Sequence, residues 1–360
     1  MPEHHEIIII GAGLSGLYAA WQLAQRQHDV IVLESRDRAG GRILSLAHDN
    51  CGRFDMGPAW IWPQLQPRLQ HLLTSLDIDI FSQFTAGDSL YERDPTHIER
   101  YRGQSAHSLS FRIAGGSQRL IAALQTCLPT GCIQLNTRVL SIRQQGLSIQ
   151  ARRDDQACEY TADRVILALP PRLIQQHIAF DPALPVDVAT AWKAIPTWMA
   201  GHCKLIFVYD KPFWREQGLS GEVFSHVGPM SEIYDASPVT EETFGLTAFV
   251  GLTAQQRQLV SQTQLIDSCM AQLDRLFGSS SQVVLDVKIK DWSLDQDTAT
   301  ALDLTGPPTH PHYPDAIPRC FWDNKLILAG TETASEHGGY LEGALESAEQ
   351  AIAAIPVNKP

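Results

Sequence analysis

Several features are missing from this 360-residue sequence, and each absence excludes a class of protein. No run of about 18 apolar residues occurs, the length that crosses a bilayer as a helix, so we expect no membrane-spanning segment. The first residues carry no basic stretch followed by an apolar one, so we expect no signal peptide. The seven cysteines are scattered and form no C-x-x-C pair, which favours reduced thiols over disulfides. A cytoplasmic protein is the resulting expectation.

Positive charge is also scarce. Lys and Arg number 28 against 40 Asp and Glu, a formal net charge of −12. A surface of that sign repels phosphate backbones, so we expect no nucleic-acid partner, while it mildly attracts amines. His4-His5 and His310-Pro311-His312 lack further ligands at metal-binding spacing, and no metal site is predicted.

What the sequence does contain begins with a glycine fingerprint. Gly11, Gly13 and Gly16, with Ser15 among them, lie in G-x-G-x-x-G spacing between a β-branched strand segment and a helical pattern. The spacing frees backbone N–H groups at the helix start for a pyrophosphate and lets helix and strand pack closely. Glu34 closes the next strand, where a carboxylate accepts hydrogen bonds from ribose hydroxyls. The pattern predicts a dinucleotide site at the amino end of the chain.

A second motif follows that carboxylate directly. Ser35 and Arg36 lead into Arg38-Ala39-Gly40-Gly41-Arg42, in which two glycines lie between two arginines. Read from the residues alone, this is a pair of surface arginines at a turn or a pair facing a phosphate. Further motifs occur along the chain: D-M-G-P-A-W at 55–60, C-K-L-I-F-V-Y-D-K-P-F-W-R at 203–215, K-D-W at 290–292, G-T-E-T-A at 330–334 and G-G-Y-L-E-G-A at 338–344.

From residue 7 to about residue 352, these motifs resemble those of the flavin amine oxidase superfamily, which includes monoamine and polyamine oxidases. The resemblance implies an α/β fold in which an FAD-binding Rossmann-like domain of the GR2 type joins an α+β substrate domain built on a mixed sheet. The expected FAD-binding domain comprises 1–66, 114–194 and 296–360, and the expected substrate domain comprises 67–113 and 195–295.

The resemblance also implies roles for individual residues. Lys204, Tyr340 and Trp292 are the implied catalytic residues, although a lysine at a solvated strand end and a tryptophan in the core are ordinary alternatives. The implied contacts to FAD are Gly11, Gly13, Ser15, Gly16, Glu34, Ser35, Arg36, Gly41, Arg42, Gly57, Pro58, Ala59, Trp60, Val139, Trp292, Gly330, Glu332, Gly339, Tyr340 and Leu341.

The implied reaction is FAD-dependent oxidation of a small-molecule amine. The α-carbon would deliver a hydride equivalent to flavin N5, water would hydrolyse the imine, and O2 would reoxidise the cofactor to give H2O2. A related desaturase and a non-catalytic flavin-binding interaction protein are the alternatives.

The sequence departs from the family pattern in three ways. No cysteine lies between Thr298 and Asp303, so we expect FAD to be bound non-covalently. The second aromatic wall of the substrate cage falls on Leu302 or Asp303, leaving Trp62, His312 or Tyr313 to fill the gap. The chain is also short in the polar stretch 82–110, which predicts a more open site.

Overall fold

The computed structural model describes residues 2–48, 52–103, 105–240, 242–305, 310–313 and 317–355. Cys51, expected to be a reduced thiol, lies outside the described residues. The α-helices are α1 (Leu14–Gln25), α2 (Pro67–Ser75), α3 (Gln118–Thr126), α4 (Pro171–His177), α5 (Val186–Ala194), α6 (Phe213–Glu216), α7 (Ala254–Arg257), α8 (Gln262–Phe277) and α9 (Leu341–Ala353). None of the helices in these ranges is long and apolar enough to span a membrane.

The strands are β1 (Glu3–Ile10), β2 (Val30–Leu33), β3 (Ser45–His48), β4 (Gly52–Asp55), β5 (Ile80–Ser82), β6 (Asp88–Asp94), β7 (His97–Tyr101), β8 (Phe111–Ile113), β9 (Ile133–Gln134), β10 (Thr137–Arg143), β11 (Ser148–Arg153), β12 (Gln156–Leu167), β13 (Ala179–Asp181), β14 (Cys203–Tyr209), β15 (Leu219–Ser225), β16 (Met230–Asp235), β17 (Phe244–Val250), β18 (Asp286–Asp291), β19 (Cys320–Phe321) and β20 (Leu326–Leu328).

The first sheet has the strand order β13-β10-β11-β12-β1-β2-β9, with β20 paired to β12. β1 runs parallel to β2 on one side and to β12 on the other. Residues 7–10 of β1 are buried on both faces, because α1, α3 and α9 cover one face and α4 and α5 cover the other. This arrangement confirms the predicted Rossmann-like domain.

The second sheet has the order β18-β14-β17-β16-β15-β6-β7 and is mixed, since β15 and β6 are parallel while the other pairs are antiparallel. Helix α8 packs against one face through Leu265, Cys269 and Leu273. On the opposite face, Ile206 and Val208 of β14 meet Phe54 and Met56 of the first domain. The predicted substrate domain on a mixed sheet is confirmed.

One row of side chains crosses that opposite face of the second sheet. Lys204 lies opposite Phe249, Phe249 opposite Glu232, Glu232 opposite Phe224, and Phe224 opposite Tyr91. Directly opposed residues in neighbouring strands project to the same face. We call these five residues the cross-sheet row.

The segment 67–113 contributes to both parts of the fold. Leu69, Leu72 and Leu73 of α2 lie in the core of the first sheet, whereas β6 and β7 extend the second sheet. The polar sequence of 82–110 predicts neither strand. Much of β6 and all of β7 is half-buried or exposed at the sheet edge, so these strands lack the apolar alternation by which strands are recognised.

A buried carboxylate from another helix caps the first turn of helix α2. Glu342 of α9 is fully buried and accepts hydrogen bonds from the backbone N–H groups of Arg68 (3.1 Å) and Leu69 (2.9 Å). Its Oε1 also lies 3.2 Å from Nη1 of Arg68. The first N–H groups of a helix have no partner within the helix, and the carboxylate supplies one. The carboxylate therefore ties α2 to α9.

Glu342→Ala should lower the free energy of unfolding by ~2–4 kcal/mol, because it leaves the N–H groups of Arg68 and Leu69 without their acceptor and removes one of the two carboxylates that pair with the Arg68 guanidinium. Urea unfolding followed by circular dichroism measures this. The control is Glu349→Ala: Glu349 pairs with Nε of the same Arg68 at 2.9 Å but is 43% exposed, so its loss should cost under ~1 kcal/mol. Equal losses in both variants would contradict the role of Glu342.

Candidate active site

A cavity of about 500 Å³ runs between the two sheets. It extends from the glycine fingerprint to a group of aromatic side chains that includes Trp60, Phe249 and Tyr340, which we call the aromatic chamber. This volume lies within the roughly 300–1,000 Å³ range of small-molecule sites. Of the predicted contacts, those that line it are Gly11, Gly13, Ser15, Glu34, Arg36, Gly41, Arg42, Gly57, Pro58, Ala59, Trp60, Gly330, Glu332, Gly339, Tyr340 and Leu341.

The fingerprint end of the cavity is shaped by two glycines with different roles. A Cβ on Gly16 would overlap the carbonyl oxygen of Gly11, so Gly16 allows α1 to pack on β1. A Cβ on Gly13 would meet nothing within 4 Å, because Gly13 borders the open cavity. No side chain caps α1, and its first residues, Leu14 and Ser15, line the cavity. The uncapped helix start therefore presents free N–H groups and a positive dipole end there.

Glu34 is buried at the end of β2, where the backbone holds its carboxylate. Oε2 accepts from the N–H of Ala12 at 2.8 Å, and Oε1 accepts from the N–H of Arg36 at 3.0 Å. A carboxylate oxygen accepts more than one hydrogen bond, so both oxygens keep capacity for ligand hydroxyls. Oε1 also accepts from the Ser35 hydroxyl at 3.3 Å and lies 3.8 Å from Nη1 of Arg36, whose Nη2 pairs with Asp295 at 2.8 Å.

A second buried carboxylate lies in the middle of the cavity. Glu332 is fully buried, and its Oε1 lies 2.7 Å from Nη1 of Arg42, which also donates to the carbonyl of Trp198 at 3.0 Å. Among the described residues, Oε2 of Glu332 has no hydrogen-bond partner. A buried acceptor without a donor is unfavourable, so a ligand with donors at this point satisfies the site.

Lys204 and Trp292 lie behind the cavity wall and do not line it. Nζ of Lys204 donates to the carbonyl of Gly57 at 3.2 Å and lies 5.7 Å and 5.3 Å from the ring centroids of Trp60 and Phe249. Nε1 of Trp292 donates to the carbonyl of Met56 at 3.0 Å. Complete burial lowers the pKa of Lys204 to about 7. Both residues therefore hold the segment that forms the wall.

The remaining predicted contacts lie beside the cavity. Ser35 and Val139 line a smaller cleft that shares Glu34 with the main cavity. Arg38, a candidate to face phosphate, donates to the carbonyls of Gly41 (2.8 Å) and Ile43 (3.1 Å) and so braces the loop. That contact corrects its expected role, because the guanidinium is used within the protein.

The aromatic chamber contains residues that the sequence did not indicate. Phe249 and Glu232 reach it from the cross-sheet row, and His107 stacks on Trp60 with ring centroids 4.3 Å apart. His202 also lines it. These residues sit on strands and a loop without a motif, and only their position on the cavity-facing side of the second sheet brings them to the site.

Both histidines are neutral at physiological pH. Burial lowers the pKa of His107 to about 4, and burial together with the charges of Arg257 and Lys204 lowers the pKa of His202 to about 4. Glu232 supplies a carboxylate to the chamber and accepts a hydrogen bond from the hydroxyl of Tyr234 at 2.7 Å. Glu232 therefore places an acidic group in the same wall as the two neutral histidines and the rings of Trp60 and Phe249.

Neither residue expected at the second cage position lines the cavity. Leu302 is 48% exposed, and Asp303 forms a buried ion pair with Arg172. Of the three aromatic candidates for the gap, Trp62 lines the cavity, whereas His312 and Tyr313 do not. Beside Tyr340, the ring of His310 stacks with centroids 4.7 Å apart.

Comparison with known proteins places the chain in a family. Residues 77–355 match the family described as flavin containing amine oxidoreductase, and residues 9–76 match an NAD(P)-binding Rossmann-like domain. The chain belongs to the flavin-containing amine oxidoreductases. This membership confirms the predicted FAD cofactor and the predicted class of enzyme, an FAD-dependent amine oxidase.

Individual relatives cover nearly the whole chain. It is 23% identical to the flavin-containing amine oxidase B of Mus musculus, over 99% of this chain and 86% of the relative, and 21% identical to the amine oxidase A of Canis lupus familiaris, over 96% and 84%. The mouse alignment spans 459 positions, more than this chain contains, so the relative carries segments with no counterpart here.

Two solved structures share the fold. Wild-type putrescine oxidase bound to putrescine matches with a TM-score of 0.81 and 21% identity, covering 98% of this chain and 99% of that one. Cyclohexylamine oxidase from Brevibacterium oxydans matches with a TM-score of 0.81 and 18% identity, covering 98% of each.

The cavity fits the family's cofactor. The uncapped start of α1 beside Gly13 suits a diphosphate, Glu34 suits ribose hydroxyls, and the unpartnered Oε2 of Glu332 suits a further hydroxyl or N–H donor. At the other end, the uncapped helix α9 begins at Leu341 on the cavity wall, where its dipole favours a negative charge.

Gly13→Ala should fold normally and lose FAD affinity by at least ~10-fold, because the new methyl group enters only the cavity where the phosphates approach. Gly13 has φ −72°, which alanine adopts without strain. Flavin fluorescence titration and thermal melting of the apoprotein measure the two effects. In contrast, Gly16→Ala should lower the melting temperature of the apoprotein itself. Unchanged FAD affinity in Gly13→Ala would contradict the assignment.

Lys204 should make stability depend on pH. Its pKa is about 7 in the native protein and about 10.4 in an unfolded chain. Between these values the unfolded state binds more protons, so the free energy of unfolding rises with pH, by at most ~1.4 kcal/mol per unit. Below pH 7 both states are protonated and the contribution is flat.

Lys204→Met should remove that rise, whereas Lys211→Met, at an exposed position, should keep it. Urea unfolding at a series of pH values and one fixed FAD concentration measures the slope. A Lys204→Met protein with the wild-type slope would show that another group is responsible.

Proposed function

We propose that the protein oxidises the carbon next to the nitrogen of a small amine, using O2 as electron acceptor, and that water hydrolyses the imine as H2O2 is released. When bound, FAD supplies the two-electron oxidation of the C–H bond. The observation that carries the proposal is one continuous cavity that joins the glycine fingerprint to the aromatic chamber.

The chamber favours a neutral amine at the reacting end. Its walls include Trp60, Phe249 and Tyr340, and its histidines carry no charge near pH 7. Entering these surroundings costs an ammonium ion more hydration than it costs the free amine. The rings also exclude water and restrict the substrate's orientation, which brings the α-carbon to a fixed place.

Lys204 is proposed to fix the position of the cavity wall and to carry an exchangeable proton on the side of the wall away from the cavity. Its Nζ donates to the carbonyl of Gly57, and a pKa of about 7 lets Nζ gain or lose a proton in the working pH range. The proton at Nζ therefore changes the charge directly behind the Gly57 turn without altering the cavity surface. Trp292 supports the same segment through Met56.

The bound FAD is proposed to be dissociable. Among the described lining residues of the cavity there is no cysteine, so no thiol of this wall is available for attachment. The groups that meet the cofactor are backbone N–H groups and the carboxylates of Glu34 and Glu332, which bind by hydrogen bonds.

Glu232 is proposed to select the substrate. It lies on the cavity wall next to Phe249 and accepts the hydroxyl of Tyr234 through Oε2, which leaves Oε1 for the substrate. A second ammonium or hydroxyl group on the amine would bind there. The similar putrescine oxidase binds a diamine of this kind. We therefore propose a short diamine or amino alcohol as substrate.

A panel of diamines, amino alcohols and monoamines of matched length tests both the reaction and the class. Mixed anaerobically with the holoenzyme, substrates should bleach the flavin absorption, and peroxide should appear once air is admitted. Glu232→Gln should raise KM for the best diamine at least ~10-fold and leave KM for the matched monoamine within ~3-fold. If no amine bleaches the flavin, amine oxidation is excluded. If both KM values rise together, Glu232 does not select the second group.

A further inference from the structure

A second cavity lies beside the active one on the same side of the second sheet. Its volume is about 400 Å³, and its walls include the rings of Tyr91, Tyr101 and Phe224. Tyr91 and Phe224 are the outer members of the cross-sheet row, whereas Phe249 and Glu232 line the active cavity. The two cavities have no lining residue in common among the described residues.

Glu222 places a carboxylate in the wall of this second cavity. The residue is only 4% exposed, and its Oε1 accepts a hydrogen bond from the N–H of Ala106 at 3.0 Å. Among the described residues, Oε2 has no hydrogen-bond partner, and the carboxylate forms no ion pair within 4.0 Å. A buried carboxylate without a counter-ion is unfavourable, so a cation at this wall would stabilise it.

Two arginines near this cavity are already paired with other carboxylates. Arg93 lies 5.7 Å from the ring centroid of Tyr91 and forms an ion pair with Glu99 at 3.2 Å. Arg100 pairs with Asp88 on the neighbouring strand. Neither arginine forms an ion pair with Glu222, so these side chains leave its charge unbalanced within the described part of the chain.

The surroundings of Glu222 select the kind of cation. Aromatic faces attract organic ammonium groups through their ring quadrupoles, and a nearby carboxylate adds to that attraction. A calcium or magnesium ion instead needs several oxygen ligands, and the described residues contain no group of three potential metal ligands. The wall has one carboxylate and three rings, which fits an alkylammonium ion.

We propose that this second cavity binds an organic ammonium ion at a site separate from the active cavity, with Glu222 as counter-ion and Tyr91, Tyr101 and Phe224 as walls. The N–H of Ala106, held by Glu222, belongs to the same loop as His107, which lines the active cavity. The site therefore shares a loop with the chamber, and it does not depend on the proposed substrate.

Calorimetric titration of the holoenzyme with tetramethylammonium tests the proposal. This ion has no lone pair on nitrogen, so it is not oxidised as an amine. Wild-type enzyme should bind it without a change in the flavin absorption spectrum, because the site lies outside the active cavity. Glu222→Gln should weaken that binding at least ~10-fold, while its amide oxygen still accepts from Ala106. Glu232→Gln removes a carboxylate of the active cavity and should leave the binding of tetramethylammonium unchanged.

A second variant guards against misfolding of Glu222→Gln. Tyr101 is 41% exposed at the sheet edge, so Tyr101→Leu should fold and bind tetramethylammonium several-fold more weakly. Absence of binding to the wild-type enzyme would overturn the proposal. Binding in the active cavity instead of the second one would also overturn it. In that case tetramethylammonium would shift the flavin spectrum, and its binding would be lost in Glu232→Gln but retained in Glu222→Gln. These outcomes are independent of whether any amine bleaches the flavin.

Discussion

The hydrogen bond from Nζ of Lys204 to the carbonyl of Gly57 connects the two halves of the molecule, and the active cavity depends on it. Lys204 belongs to the second sheet and Gly57 to a loop of the first domain, so the bond fixes the wall between them. Trp292 repeats the connection one residue earlier, at Met56. Burying an amine is costly, and the lowered pKa of Lys204 records that cost.

Carboxylates in cavity walls with spare hydrogen-bonding capacity are the other recurring feature. Glu34 and Glu332 line the cofactor part of the cavity, Glu232 lines the chamber, and Glu222 lines the cavity next to it. In contrast, Glu342 is buried and fully used within the fold, where it starts a helix. The difference lies in the partners: a satisfied carboxylate stabilises the fold, whereas one with a free oxygen marks a place where a ligand completes the structure.

Motifs of small residues could be predicted well because their role is local. The spacing of Gly11, Gly13 and Gly16 specifies a strand, a turn and a helix within a few residues, and the structure forms them. The chamber was predicted poorly. His107 lies on a loop that follows the polar strands β6 and β7. The family resemblance predicted the second wall at Leu302 or Asp303, but Leu302 is exposed to solvent and Asp303 pairs with Arg172. Such positions depend on contacts between distant segments, for which the sequence has no short-range signal.

The sequence by itself determined the Rossmann-like domain, because the glycine fingerprint and its flanking strand and helix rest on residues adjacent along the chain and on elementary backbone geometry. FAD as the cofactor followed from the resemblance of the motifs to those of a family. Only the tertiary structure decided that Lys204 lies behind the cavity wall instead of in it. It also decided that Glu232 and Glu222 lie on the same face of one sheet but in different cavities. The physical reason is strand register: neighbours across a sheet come from sequence positions that no local pattern connects, and one step of register moves a side chain to the opposite face.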